Sequence, residues 1–134
     1  MLYFILFLLK PLTIFIFESN ILICYKNQIK MLDSKMKIVK GFNKNNIKYN
    51  ITYPPKHFRI GSKDYLIINT EKKLYITDRR GNSRINISNN LNISKNEIFL
   101  HKNSLTTISN DNTLIKIDFN GEISKTTLPL ESKY

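Results

Sequence analysis

From Phe58 to Ile85 the chain alternates short apolar runs with polar clusters, in the order FRI, GSKD, YLII, NTEKK, LYIT, DRRGNS, RI. Apolar runs of this length, rich in Ile, Leu and Tyr and bounded by Gly, Asn, Asp and Ser, predict short strands joined by tight turns. The spacing places strand A near Phe58 to Ile60, B near Tyr65 to Asn69, C near Leu74 to Thr77 and D near Ser83 to Ser88. No segment sustains apolar residues at helical spacing behind a cap, so no helix is predicted.

The same pattern occurs three times. The segments ending at Asp33, Asp78 and Asp118, "ILICYKNQIKMLD", "LIINTEKKLYITD" and "TTISNDNTLIKID", align without a gap, and so do "TIFIFESN", "FRIGSKDY" and "IFLHKNSL" upstream of them. Three residues beyond each Asp stand Met36, Gly81 and Gly121; glycine suits a turn whose last residue needs positive φ, and methionine fills that place only with strain. Ile23, Ile68 and Ile108 fall in one column and Ile29, Leu74 and Leu114 in another, both expected to face inward. Four short antiparallel strands repeated about every 40 to 45 residues match the blade of a β-propeller. The expectation is an all-β chain of antiparallel four-stranded blades, about three blades of an incomplete β-propeller, over roughly residues 13–41, 56–88 and 96–128 of a single region 1–134. Residues 41–56, "GFNKNNIKYNITYPPK", and 89–96, "NNLNISKN", read as polar blade-to-blade connections. Three blades do not close a ring, so the expectation includes a truncated gene product, a fragment, or one part of an oligomer.

Leu74-Tyr75-Ile76-Thr77-Asp78-Arg79-Arg80-Gly81 and Leu114-Ile115-Lys116-Ile117-Asp118-Phe119-Asn120-Gly121 resemble the repeats of WD40-like and PQQ-like propellers, although the chain has no tryptophan to close such a repeat. "IVKGF", "PKHFRIGSKDYLII", "DRRGNSRI" and "NEIFLHKNSLTT" are similar to the C-terminal propeller region of large exported bacterial proteins, over roughly residues 27 to 128. That resemblance implies a scaffold or protein-interaction surface, completed by a protein partner or by further blades, in an exported or cell-envelope setting; without it the expected setting is cytoplasmic. Some members of that group carry a type 2 ribonuclease H label. That chemistry needs four carboxylates converging on two metal ions in an α/β fold, whereas the acidic residues here fall in turns.

Composition changes this picture little. The net charge of +11 suggests a nucleic-acid or polyanion partner, but Ile, Asn and Lys make up roughly two fifths of the chain, a codon-level bias, and the lysines are scattered. The densest basic group is Arg79, Arg80 and Arg84, with Lys72 and Lys73 placed across the hairpin as a possible anion-binding patch. Asp33, Asp78, Gly81, Asp118 and Gly121 are assigned structural turn roles, the aspartates bonding nearby N–H groups in preference to holding a cation. Cys24, the single cysteine, excludes an internal disulfide, and bulky Ile23 before it does not suit lipoprotein cleavage. His57 and His101 occupy different columns and are not expected to share an ion. No catalytic, cofactor or metal residues are assigned, no cofactor is expected, and a quinoprotein-like enzyme is the least favoured alternative. The apolar start "MLYFILFLL" lacks the flanks of a secretory signal and is broken by Lys10-Pro11, which leaves membrane contact through residues 1–17 as an open alternative.

Overall fold

The computed structural model describes residues 12–17, 19–44, 47–88, 90–93 and 96–129, with the backbone alone described for 12–17. The apolar start up to residue 11 lies outside them. The described residues form eleven strands and no helix, so none of them forms a helix that could cross a membrane.

The strands make three antiparallel meanders. The first sheet is β1 (Leu12–Phe17), β2 (Asn20–Tyr25) and β3 (Gln28–Leu32). The second is β4 (Lys56–Ile60), β5 (Lys63–Asn69), β6 (Leu74–Thr77) and β7 (Ser83–Ile85). The third is β8 (Phe99–His101), β9 (Ser104–Ile108), β10 (Thr113–Asp118) and β11 (Ile123–Thr127). Among the described residues the first sheet has no fourth strand; after the Asp33 corner they make a single bridge, between Leu32 and Ile38. Strand D of the second unit also ends early, at Ile85 rather than Ser88.

The sheets pack face to face. Successive strand residues point to opposite faces, and β5 is buried on both from Asp64 to Asn69. Leu66 and Ile68 join Leu22, Cys24, Ile29 and Met31 of the first sheet in one core. Tyr65, Ile67, Leu74 and Ile76 join Leu105, Ile115 and Ile117 of the third sheet in another. The middle sheet is therefore enclosed by its two neighbours, and each of its fully buried aliphatic side chains contributes about 1.5–3 kcal/mol of transfer free energy.

The connections are not simple solvated loops. Phe42, Ile47 and Pro55 of the first are buried, as are Leu91 and Ile93 of the second. The first crosses two hairpin tips: Ile47 N–H donates to the Asn27 carbonyl, Ile51 N–H to Lys26, Glu71 N–H donates to Asn50, and Thr52 N–H to Asn69. Its polar residues alternate with apolar ones that cap the first core, a pattern hidden by the abundance of Asn and Lys.

The gapless alignment breaks in two places. The first hairpin turns at Gly61 and Ser62 in the second sheet but at Lys102 and Asn103 in the third, so β5 starts earlier than its alignment partners. Between β9 and β10 Leu114 pairs with Ile108, whereas Leu74 pairs with Asn69, so the β9–β10 loop holds one residue more than the β5–β6 loop. A one-residue slip turns every side chain to the other face. Ile108 is consequently 41% exposed while Ile68 is fully buried, and Leu114 is half-buried. The expected inward columns hold for Ile29 and Leu74 and fail for Ile108; Ile23 is also only half-buried, because it lies on the face of the first sheet opposite Leu22 and Cys24.

Candidate functional site

One corner is built three times. At Asp33, Asp78 and Asp118 a carboxylate oxygen accepts N–H bonds from the residues two and four ahead, at 2.8 and 3.0 Å, 2.8 and 2.9 Å, and 2.9 and 2.9 Å. Each Asp N–H donates to the carbonyl four ahead, and each Asp carbonyl accepts from the residue three ahead. That third residue has positive φ, 63° at Met36, 84° at Gly81 and 90° at Gly121. The carboxylates are thus occupied in closing turns. Burial raises the Asp78 pKa, but the N–H groups of Asn82 and Arg80, the Asn82 amide and the charge of Arg84 outweigh it and hold the pKa below the ordinary carboxylate value.

The second corner differs from the other two in its surroundings. A Cβ on Gly81 would stand 2.9 Å from the Lys44 backbone nitrogen and 3.1 Å from that of Asn43, because the connecting segment crosses it: Asn43 N–H donates to the Arg80 carbonyl at 2.7 Å and the Asn43 amide to Asn82 Oδ1 at 2.7 Å. Arg79 and Arg80 are brought by this contact to a cleft of about 440 Å³ that they line with Lys40, Asn20, Met31, Val39 and Phe42.

Behind Arg79 lies Asp64, whose side chain is 9% exposed. His57 Nε2 is 2.9 Å from Asp64 Oδ1, Arg79 Nε donates to Oδ2 at 3.1 Å, Arg59 approaches to 3.4 Å, and Arg84 Nε donates to the Asp64 carbonyl at 2.8 Å. The His57 hydrogen bond does most to lower the Asp64 pKa; burial opposes it, and the charges of Arg79, Arg59 and His57 lower it further. Arg59 and Asp64 are direct cross-strand partners because the β4–β5 hairpin turns at Gly61 and Ser62, whereas in the third sheet the turn at Lys102 and Asn103 pairs Ser104 with His101. Asp64 was not among the residues singled out by pattern; the signal lay in its column, where the other copies carry Ser19 and Ser104.

The five basic candidates separate. Lys72 and Lys73 sit in the β5–β6 turn, with their ammonium groups over the Tyr49 and Tyr75 rings at 5.9 and 5.1 Å, while Arg79 and Arg80 stand beyond the other end of β6. A strand advances about 3.3 Å per residue, so β6 keeps the two groups apart; the expected single patch is two. Arg84 lies over the Tyr65 ring, 5.6 Å from its centroid. His101, exposed at the end of β8, does not join His57, and among the described residues no group of three metal-ligating side chains forms. Cys24 is buried, and burial pushes its thiol pKa up to about 12. Tyr53 is engaged by Glu97, its hydroxyl 3.5 Å from Oε2.

Arg80 and Lys40 line the cleft beside Arg79, and the Asn43 contacts tie the first connection to the second sheet. No family model matches the chain, and no curated protein matches it.

Proposed function

We propose that the chain is a non-catalytic, propeller-type scaffold whose stacked sheets present an interaction surface to a protein partner or to further blades. The observation that carries this reading is the repeated packing of one sheet's face on the next sheet's back, with Leu22, Cys24, Ile29 and Met31 meeting Leu66 and Ile68, and Ile67, Leu74 and Ile76 meeting Leu105, Ile115 and Ile117. The threefold Asp corner supports it, because its polar groups are engaged in holding turns. An exported or envelope setting follows only from the sequence resemblance and belongs to the same proposal.

Spin-label distances test the blade arrangement. Propeller blades fan outward, so labels on the outer strands at Ser83 and Ser124 should lie farther apart than labels in the first-hairpin turns at Ser62 and Asn103. Equal separations, near the roughly 10 Å spacing of parallel stacked sheets, would reject a propeller. A polyanion-binding role is favoured by one observation, the cleft at Arg79, Arg80 and Lys40. It requires tight binding of a single-stranded oligonucleotide or heparin fragment that weakens steeply between 50 and 200 mM salt. Such binding would replace the scaffold reading.

A further inference from the structure

The cleft beside the second Asp corner has two kinds of wall. Met31, near the end of β3, and Phe42, on the first connection, are buried, and Val39, whose N–H donates to the Met31 carbonyl at 2.8 Å, is half-buried. These three make an apolar side. Lys40, Arg79 and Arg80, all exposed, make the other, and among the described residues no carboxylate lines the cleft. Its volume of about 440 Å³ falls within the roughly 300–1,000 Å³ of small-molecule sites, which combine apolar lining with a few placed polar groups.

The three cations are not equivalent. Arg79 donates through Nε to Asp64 at 3.1 Å, so part of its charge is already offset and its guanidinium is held in place. The Arg80 guanidinium and the Lys40 ammonium have no ion-pair or hydrogen-bond partner among the described residues. Their backbones are nonetheless fixed. Arg80 N–H donates to Asp78 Oδ1 at 2.8 Å and its carbonyl accepts from Asn43. Lys40 precedes Gly41, which lines the same cleft at φ 85° and where an added Cβ would meet no atom within 4 Å, so the backbone there is open to an occupant.

We propose that this cleft binds a small organic phosphate monoester, with the phosphoryl group among Lys40, Arg79 and Arg80 and the apolar body against Met31, Val39 and Phe42. A phosphate monoester carries about −1.5 to −2 charges at pH 7 and three strong acceptor oxygens, enough to match Arg80 and Lys40 together. A carboxylate supplies one charge and leaves one of the two unmatched. Arginine offers planar, paired N–H donors suited to phosphate oxygens, and lysine a point charge. The ligand goes beyond the scaffold reading and does not depend on it, since the cleft needs only the first two sheets and their connection. It also differs from a polyanion, whose backbone phosphates carry one charge each and bring no apolar group to the Met31 wall.

Amide shift titration of the isotope-labelled full chain with phenyl phosphate, at about pH 7.5 in about 0.15 M NaCl, tests the proposal. The expected result is saturable one-to-one binding with a Kd on the order of 1 mM, its shifts centred on Lys40, Gly41 and Arg80. Inorganic phosphate lacks the apolar body and benzoate lacks the second charge, so each should bind about fivefold more weakly or worse. Arg80→Gln and Lys40→Gln, at exposed positions and with unchanged far-ultraviolet circular dichroism, should each weaken phenyl phosphate about tenfold or more. Lys72→Gln, at the other end of β6, should change it by less than about twofold. Failure to saturate by about 20 mM phenyl phosphate, which is well above the expected Kd, would overturn the proposal. Benzoate or inorganic phosphate binding as tightly, or Lys72→Gln acting as strongly as Arg80→Gln, would overturn it too, by showing an adventitious anion only. Displacement of phenyl phosphate by an oligonucleotide without terminal phosphates would overturn it in favour of polyanion binding. None of these results bears on the spin-label distances, so the scaffold reading stands or falls separately.

Discussion

Replacing Asp64 by Asn removes the one buried carboxylate on which His57, Arg59 and Arg79 converge. Two of its bonds are of normal length, His57 at 2.9 Å and Arg79 at 3.1 Å, and the Arg59 approach at 3.4 Å adds little. A charge-assisted hydrogen bond contributes about 1.5–3 kcal/mol. The Arg59 and Arg79 side chains are 53% and 46% exposed and recover water when the charge is lost, which brings the expected total to about 2–3 kcal/mol. For a domain of this size that is a fall in Tm of roughly 8–12 °C. The folded-state pKa of Asp64 lies below its unfolded value, so the stabilisation is fully present above the unfolded pKa of about 3.9 and disappears as pH falls through the lower folded value. Thermal unfolding of the wild type and Asp64→Asn should therefore differ by the full amount at pH 7 and at pH 5.5, and the difference should shrink once pH falls below about 3.9, vanishing below the folded-state pKa. A difference under 0.5 kcal/mol at pH 7, or one that does not begin to shrink as pH falls below about 3.9, would contradict this account.

The corner glycines should rank by what surrounds them. Gly81→Ala should cost more than about 2 kcal/mol, since positive φ is joined by a clash with the Lys44 backbone, whereas Gly121→Ala, whose Cβ meets only Ile85 Cγ2 at 3.4 Å, should cost about 1 kcal/mol; urea denaturation would separate them, and equal costs would show that the close approach of the connection is unimportant. Met36→Gly should raise stability by about 0.5–1 kcal/mol in the same assay, because a 51% exposed side chain held at positive φ gives up little packing. Asn69→Ala should cost about 1–3 kcal/mol by leaving the buried Ile93 carbonyl without the amide that donates to it at 3.0 Å. Native Cys24 should resist iodoacetamide at pH 8 for hours and react within minutes in urea, since its thiol is buried and its pKa raised; fast labelling of folded protein would contradict the burial.

The alternation of short apolar runs and polar clusters determined the strands and their antiparallel order. The places of the predicted strands A, B and C in the second unit differ from β4, β5 and β6 by no more than two residues at either end. The three Asp corners were equally local: an Asp followed three residues later by a residue at positive φ needs only its own turn. Three things depended on packing. The register of the β9–β10 hairpin turned on a single extra loop residue, which no column of isoleucines reveals and which put Ile108 outside. The connection 41–56 looked polar, yet Phe42 and Ile47 cap a core that exists only once the first two sheets stack. Asp64 became a site because the β4–β5 turn at Gly61 and Ser62 set it opposite Arg59, with Arg79 arriving from the corner after β6 and Arg84 from β7, residues up to 20 positions away. Local sequence sets turns and strands through backbone geometry, which is decided within a few residues; which charges meet, and which faces remain open, follows from how the sheets stack.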